Sequence, residues 1–552
     1  MELQQVPGTN VSPARPKAPR KHHPRFTHRV FRATRETEAA TDRDKMQLMA
    51  PSPSTLLEIL QHAAPDHTAM VVPELGIRLT YDSLRKQVVA MADALAALGI
   101  RRGDRVAMAL PNGLANVVTF LAASIAGTAA PLNPAYRHDE FAFFLEDTNA
   151  RILICPPDGV EEARRAAAER EIPAFSVQMD ANGTVQLLNA PTGLAKAMPP
   201  AAEDVALILH TSGSTGRPKR VPLTHQNLTI SAGNISHTYE LTPEDVSLCV
   251  MPLFHVHGLV ASAIAPLFSG GAVVVPTKFE ALGFWRLVRE YKVSWYSGVP
   301  TIHQLLLARI GGKGRPAGTE SLRFVRSCST PLSPQIMHRM EEVFGVPLLE
   351  AYGMTEAAHQ MASNPLPPHP NKPGSVGAPA GVHISIIDPE GNHLGTDQRG
   401  EVVTQGPNVF KGYENNPEAN ASAFIHGWFR TGDEGYLDED GYLHLTGRLK
   451  ELINRAGEKI SPREIDKVLL ANPAVAEAVT FGFPHPKLGE EVAAAVVLHS
   501  PVSEAVLDEY CRERLAEFKC PKKFYILESI PQTATGKVRR NAVAAALVDG
   551  KH

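Results

Sequence analysis

The run Thr211-Ser212-Gly213-Ser214-Thr215-Gly216-Arg217-Pro218-Lys219 has the composition of a phosphate cradle. Its glycines free backbone N–H groups to point into one concavity, where they hold phosphate oxygens. The hydroxyls add donors and Lys219 adds charge. The spacing is not that of a Walker A loop, because Gly-x4-Gly-Lys-Ser/Thr is absent. A flexible Ser/Gly linker is the competing reading of the run taken alone. Its Arg-Pro-Lys ending weighs against that.

The elements around this loop define its setting. Residues 205–210 read as a buried strand that leads straight into it, and the loop lies between that strand and the polar start of a later helix. Upstream, a strand at 105–110, a Pro-Asn-Gly turn, a helix over 114–126, a strand at 151–155 and a charged helix at 160–170 alternate. Such alternation predicts an α/β fold: a large N-terminal domain of layered, mostly parallel sheets with helices. Near Gly400 the texture shifts to short turn-rich segments, read as hairpins of a small β-rich subdomain. After Arg448 a small α+β segment of about a hundred residues follows. The expected division is 1–45, 46–448 and 449–552, with the boundary at 448–450.

A chain of 552 residues is too long for one compact core. It is 43% hydrophobic and 20% charged, an ordinary globular balance, and its net charge of −3 gives no reason to expect nucleic acid as a partner. Five scattered cysteines (Cys155, Cys249, Cys328, Cys511, Cys520) suggest a reducing compartment and neither a disulfide framework nor a zinc site. No apolar run approaches the ~20 residues of a membrane helix, so integral membrane association is not expected. The most apolar stretch, 258–275, reads as a buried helix, a tight turn and a buried strand. Residues 1–45 are Arg-rich and almost free of acid before Glu36. They read as a disordered basic tail, an organelle transit segment, or an artefact of a true start at Met46 or Met49. The C-terminus lacks a Ser-Lys-Leu address. The expected location is cytoplasmic, with organelle import through the basic N-terminus left open.

The loop resembles the phosphate-binding signature of the adenylate-forming superfamily, which contains acyl-CoA synthetases, peptide-synthetase adenylation domains and luciferases. Five further stretches resemble that family's signatures in order: Ala351-Tyr352-Gly353-Met354-Thr355-Glu356, Trp428-Phe429-Arg430-Thr431-Gly432-Asp433, Gly447-Arg448-Leu449-Lys450-Glu451, Arg455-Ala456-Gly457-Glu458-Lys459-Ile460-Ser461 and Pro531-Gln532-Thr533-Ala534-Thr535-Gly536-Lys537. The resemblance implies ATP, Mg²⁺ and coenzyme A. A carboxylate attacks the α-phosphate, and a thiol then displaces AMP. Bringing two anions together calls for positive charge and a metal. Glu356 suits a hard oxygen ligand for Mg²⁺. Thr355 suits a donor to the α-phosphate, Asp433 and Arg448 the ribose, and Tyr352 the adenine. Lys537 suits the cation between the reacting groups. The resemblance adds Ser327, Ala351, Gly353, Lys450 and Lys459 to the nucleotide and coenzyme set. It also implies that the small C-terminal domain is mobile, rotating about a hinge at Lys450.

Within that superfamily the chain resembles the oxalate–CoA ligase group of plants and fungi. The resemblance rests on 252–258, 299–304, 326–329, 355–365, 450–455 and 457–462. His255, His257, His359, Ser297, Ser327 and Ser329 fall in stretches that line the acyl pocket of the resembling family. A fatty-acid pocket is apolar, because an unpaired buried polar group costs ~1–3 kcal/mol. Imidazoles and hydroxyls suit a small acid with a second carboxylate, and a histidine near an anion can become cationic. The same histidines also fit satisfied core groups or a gate shared by medium-chain and aryl ligases, and His255 matches the gating position. The expected partners are a small carboxylic acid, ATP and CoA, in a monomer or homodimer. Three rivals stay open: a medium-chain or 4-coumarate-like acyl-CoA ligase, a carrier-charging adenylation module, and a binding protein on a decayed fold. The absence of a Gly-Gly-x-Ser helix after residue 545 disfavours a built-in carrier, and Lys537, Glu356 and Lys219 weigh against the decayed fold.

Overall fold

The computed structural model of the protein describes residues 52–190, 195–211, 218–311, 314–532, 538 and 540–548. The basic segment 1–45 lies outside them. The chain is mixed α/β, with a large N-terminal domain and a smaller C-terminal domain. Among the described residues no helix is long and apolar enough to cross a membrane, and the five cysteines are buried and free.

Two sheets build the large domain. The first runs in spatial order Ala378–Pro379, His359–Ser363, Leu348–Met354, Phe324–Ser327, Trp295–Gly298, Val246–Leu248, Ala272–Val274, Thr68–Val72, Ile77–Thr80. From Leu348–Met354 across to Thr68–Val72 the strands pair parallel, and the flanking strands are antiparallel. The second sheet places Arg105–Met108 between Ala150–Cys155 and Thr128–Pro131, all parallel, and ends on the antiparallel pair Val205–Thr211 and Lys219–Thr224. Helix Leu114–Ala126 is buried at every position but Ala115. A helix apolar all round has to be enclosed, and this one joins the core cluster shared by both sheets.

The expected hairpin region is a five-stranded antiparallel sheet that includes Gly400–Gln405, Trp428–Leu437 and Leu443–Arg448. A single 3₁₀ turn, Leu449–Glu451, separates its last strand from Ile453–Arg455. That strand opens a further sheet, covered by helices Pro462–Leu470, Glu504–Arg512 and Arg540–Val548.

The glycine loop departs from the expectation. It does not run from a strand towards a helix but closes a hairpin, with Thr211 paired to Lys219. Pro222 sits in the returning strand, which is tolerated because that strand is the sheet edge. Helix His225–Thr238 follows at once. The Thr224 hydroxyl accepts from the Asn227 N–H and the Asn227 side chain accepts from the Thr224 N–H, a reciprocal cap.

His225 locks this helix to its neighbours. Its Nδ1 accepts from the Leu56 N–H at 3.2 Å, and its Nε2 lies 2.9 Å from the Ser124 carbonyl. Only a neutral ring satisfies both bonds, and burial pushes its pKa down from 6.5 to about 4. The unfolded chain takes up the proton below 6.5 and the folded chain does not. The stability carried by this group is therefore present above that pH and falls as the pH drops toward 4. His225→Leu is expected to cost about 1–3 kcal/mol near neutral pH. Its deficit relative to wild type should shrink by about 2 kcal/mol between about pH 7.5 and about pH 5, measured by denaturant unfolding. An unchanged deficit would show that the histidine is not held neutral.

Candidate nucleotide and acid site

The nucleotide side is built where the hairpin meets the first sheet. The Lys219 amine lies 4.5 Å from the centre of the Tyr413 ring, and the Tyr413 hydroxyl donates to Glu356 Oε1 at 2.9 Å. Glu356 is buried. Burial raises its pKa against the opposing pull of a backbone N–H and the Tyr413 hydroxyl. Lys219 is shifted down, by burial first and then by the charge of Lys450, with Glu356 opposing. Lys450 and Lys219 are therefore electrostatic neighbours, an arrangement suited to a polyanion. The loop's return strand is held by Arg220, whose carbonyl accepts from the Glu414 N–H at 3.1 Å. Ser212, Gly213, Ser214, Thr215 and Gly216 lie outside the described residues.

Asp433 and Arg448 are register partners on adjacent antiparallel strands. Tyr352 donates to Asp433 Oδ2 at 2.5 Å. Arg448 Nε stands 2.9 Å from Asp433 Oδ1. That ion pair lacks hydrogen-bond alignment, so among the described residues the buried Oδ1 and Nε atoms have no hydrogen-bond partner. A buried carboxylate oxygen without a donor is a place for a hydroxyl.

The acid side gathers around His257. This residue starts a π-helix, His257–Ile264, a form that concentrates at functional sites. The next residue must be glycine, since a Cβ on Gly258 would stand 2.1 Å from the Pro252 carbonyl oxygen. His257 Nε2 lies 2.6 Å from Ser297 Oγ and Nδ1 lies 2.9 Å from Ser329 Oγ. The His359 ring stacks on it at 5.2 Å. Both rings are held well below 6.5, first by burial and then by the Arg326 guanidinium. Desolvation and a nearby fixed cation both oppose a charge on either ring, against which an anion would have to act to make one cationic.

The remaining sequence candidates divide by position. Thr355 is half-buried beside Glu356, and Ala351 and Gly353 lie on strand Leu348–Met354. Gly353 admits no side chain, because a Cβ there would stand 2.0 Å from the His359 carbonyl oxygen. His255 is half-buried with its ring against Phe254, and its charge bears on His257. Ser327 is buried with an unpartnered hydroxyl. Ser329 is exposed, with its backbone at φ +74°. Lys459 is exposed on strand Glu458–Ile460 of the C-terminal sheet. Lys537 lies outside the described residues. Its loop is bracketed by the bridge between Gln532 and Val538 and by Arg540, which ion-pairs with Asp466 and with Glu451 next to Lys450. Two residues were not foreseen. Tyr413 looks like an ordinary core aromatic in sequence, and Arg326 lies in a short strand where a charge signals nothing by spacing.

Tyr413→Phe keeps the ring under Lys219 and removes one donor from Glu356. A carboxyl with a raised folded pKa contributes stability at low pH and loses it as pH rises through that pKa. The variant raises it further, so the expected loss is about 1–3 kcal/mol near pH 8 and smaller near pH 5, read by urea unfolding. Equal losses at both pH values would contradict the role given to this hydrogen bond.

Comparison with known proteins fits this geometry. The chain matches the AMP-binding enzyme family over residues 59–414 and the AMP-binding enzyme C-terminal domain over residues 464–537. It is similar to a probable CoA ligase, CCL9, of Humulus lupulus, with 47% identity over 89% of this chain and 96% of the relative. It is also similar to the oxalate–CoA ligase of Arabidopsis thaliana, with 45% identity over 89% of this chain and 98% of the relative. Among solved structures it resembles ATP-bound MatB of Rhodopseudomonas palustris, with a TM-score of 0.83 and 32% identity over 90% of this chain and 99% of the other. From the hairpin lysine to the C-terminal sheet, this chain belongs to the AMP-binding enzyme family.

Proposed function

We propose that this chain is an oxalate:CoA ligase. It forms oxalyl-AMP from oxalate and ATP, releases pyrophosphate, and then transfers the oxalyl group to the thiol of coenzyme A with release of AMP. The observation that carries the choice of acid is the polar wall His257–Ser297–Ser329 with His359 stacked on it; the buried His359 Nε2 has no hydrogen-bond partner among the described residues, and beside a hydrocarbon chain it would stay so at a cost of ~1–3 kcal/mol. The oxalate–CoA ligase relative supports the same substrate.

In this reading Asp433 accepts the ribose hydroxyls through Oδ1, which ion-pairs with Arg448 and takes no hydrogen bond among the described residues. Tyr352 lies against the adenine and holds Asp433 in place. Ala351, Gly353 and Ser327 shape the nucleotide pocket. Residues 211–216 and Lys219 cradle the phosphates, and Thr355 donates to the α-phosphate. Lys537 stabilises the charge that develops between carboxylate and phosphorus. Glu356 suits Mg²⁺: it is a buried hard-oxygen donor with one oxygen oriented by Tyr413. Among the described residues no group of three or more acidic, His or Cys side chains could hold a metal ion. Mg²⁺ bound there supplies charge neutralisation between the phosphates and the incoming acid. The division at 448–450, with Lys450 as hinge and Lys459 turned toward coenzyme A in the second step, completes the scheme. The protein works in the cytoplasm as a monomer or homodimer.

Pyrophosphate release measured across oxalate, malonate, octanoate and 4-coumarate is expected to be fastest with oxalate. A higher rate with octanoate would reject oxalate and leave the two-step mechanism standing.

A further inference from the structure

Arg326 is completely buried, yet among the described residues no carboxylate pairs with it. Its Nε donates to the Tyr239 hydroxyl at 2.8 Å, Nη1 to Ser297 Oγ at 2.9 Å and Nη2 to Gln360 Oε1 at 3.1 Å. The Cys328 thiol lies alongside. Tyr239, Ser297 and Gln360 are all neutral acceptors. A guanidinium keeps its charge in a protein and only donates, and an uncompensated buried cation is costly.

That one-way chemistry sets the direction of a chain of hydrogen bonds. Ser297 accepts from Arg326 and, being fully buried, must place its own proton. His257 Nε2, at 2.6 Å, is its acceptor. The neutral ring then carries its proton on Nδ1 and donates it to Ser329 Oγ at 2.9 Å. Ser329 is exposed and held at φ +74°. With its oxygen occupied by His257, it turns its own O–H outward. Four residues from three separate segments thus end in a donor at the exposed end of the relay.

We propose that Arg326 is the positioning residue for acid selection: through Ser297 and His257 it orients Ser329 to donate to the second carboxylate of a small diacid. The inference rests on the oxalate reading. An acid with an alkyl tail leaves the terminal donor without an acceptor. Selection in this scheme depends on a fixed cation and not on a titrating imidazole. The charged and titratable groups bearing on His257 are Arg326, His303 and His255, and those bearing on His359 are Arg326 and His257. None of them is an acid that would draw a proton onto either ring.

The test compares wild type, Ser329→Ala and Arg326→Met for oxalate against acetate, with ATP varied separately. Ser329→Ala, at an exposed position, is expected to raise KM for oxalate about tenfold to a hundredfold while KM for ATP and the poor activity with acetate stay unchanged. Arg326→Met is expected to do the same. In addition kcat/KM for oxalate should become pH-dependent between about pH 6 and about pH 8, rising as the freed imidazoles take up protons. The wild-type profile is expected to show no such histidine limb. Thermal melting checks that each variant is folded; if Arg326→Met is not, Ser329→Ala decides. A wild type that prefers oxalate while Ser329→Ala keeps its KM for oxalate overturns the inference alone. So does an Arg326→Met defect spread equally over ATP and both acids. A wild type that prefers octanoate overturns the oxalate reading and the inference with it.

Discussion

A carboxylate and a triphosphate repel each other, and joining them requires both to be held against that repulsion. In this chain one short turn sets the distance between the two sites proposed for them. Strands Leu348–Met354 and His359–Ser363 are antiparallel neighbours joined by a 3₁₀ turn, Thr355–Ala357. Ala358 and His359 follow at φ +50° and +112°. Two successive non-glycine residues in that region store strain of order 1–3 kcal/mol each, and the surroundings hold it. Asn408 donates to the Ala357 carbonyl at 2.8 Å and the Phe410 N–H to the Glu356 carbonyl at 2.8 Å. Glu356 at one end of this turn faces Lys219 and Tyr413. His359 at the other end faces His257. A shift of the turn would move both sites together.

The charges follow a plan that suits such a reaction. Lys219, Lys450 and Arg448 are gathered around Glu356 and Asp433. Arg326 stands near His257 and His359, whose rings burial and its charge keep neutral. The cations are fixed in place, and the two imidazoles near Arg326 are held neutral. Preorganised charge of this kind stabilises a transition state without reorganising when the reaction occurs. The π-helix that starts at His257 and the glycine-only contacts at Gly258 and Gly353 serve the same end, since each glycine lets the backbone approach a carbonyl more closely than any side chain would allow.

Local pattern carried much of this architecture in advance. Helix Leu114–Ala126 was legible because an apolar run between two turn signals has few other outcomes. The β-rich segment after Gly400 was legible from its turns, and the site loops from their motifs. The returning strand Lys219–Thr224 was hidden by Pro222 and its polar residues, which mark an edge strand as readily as a loop. The protonation of His257 and His359 was hidden for another reason: it depends on Arg326, which is far from both in sequence and reaches them only after three strands align. Tyr413 gained its role from the fold in the same way, through a hydrogen bond across 57 positions to Glu356.

The reaction scheme makes one direct demand on the atoms. A carboxylate oxygen bonds to the α-phosphorus, and the thiol later breaks the bond between that oxygen and the acyl carbon. With oxalate carrying ¹⁸O in its carboxylates, together with ATP and CoA, mass spectrometry of the products should find one ¹⁸O in AMP and none in pyrophosphate. Label in pyrophosphate or inorganic phosphate, or unlabelled AMP beside oxalyl-CoA, would contradict an acyl-adenylate route in this protein.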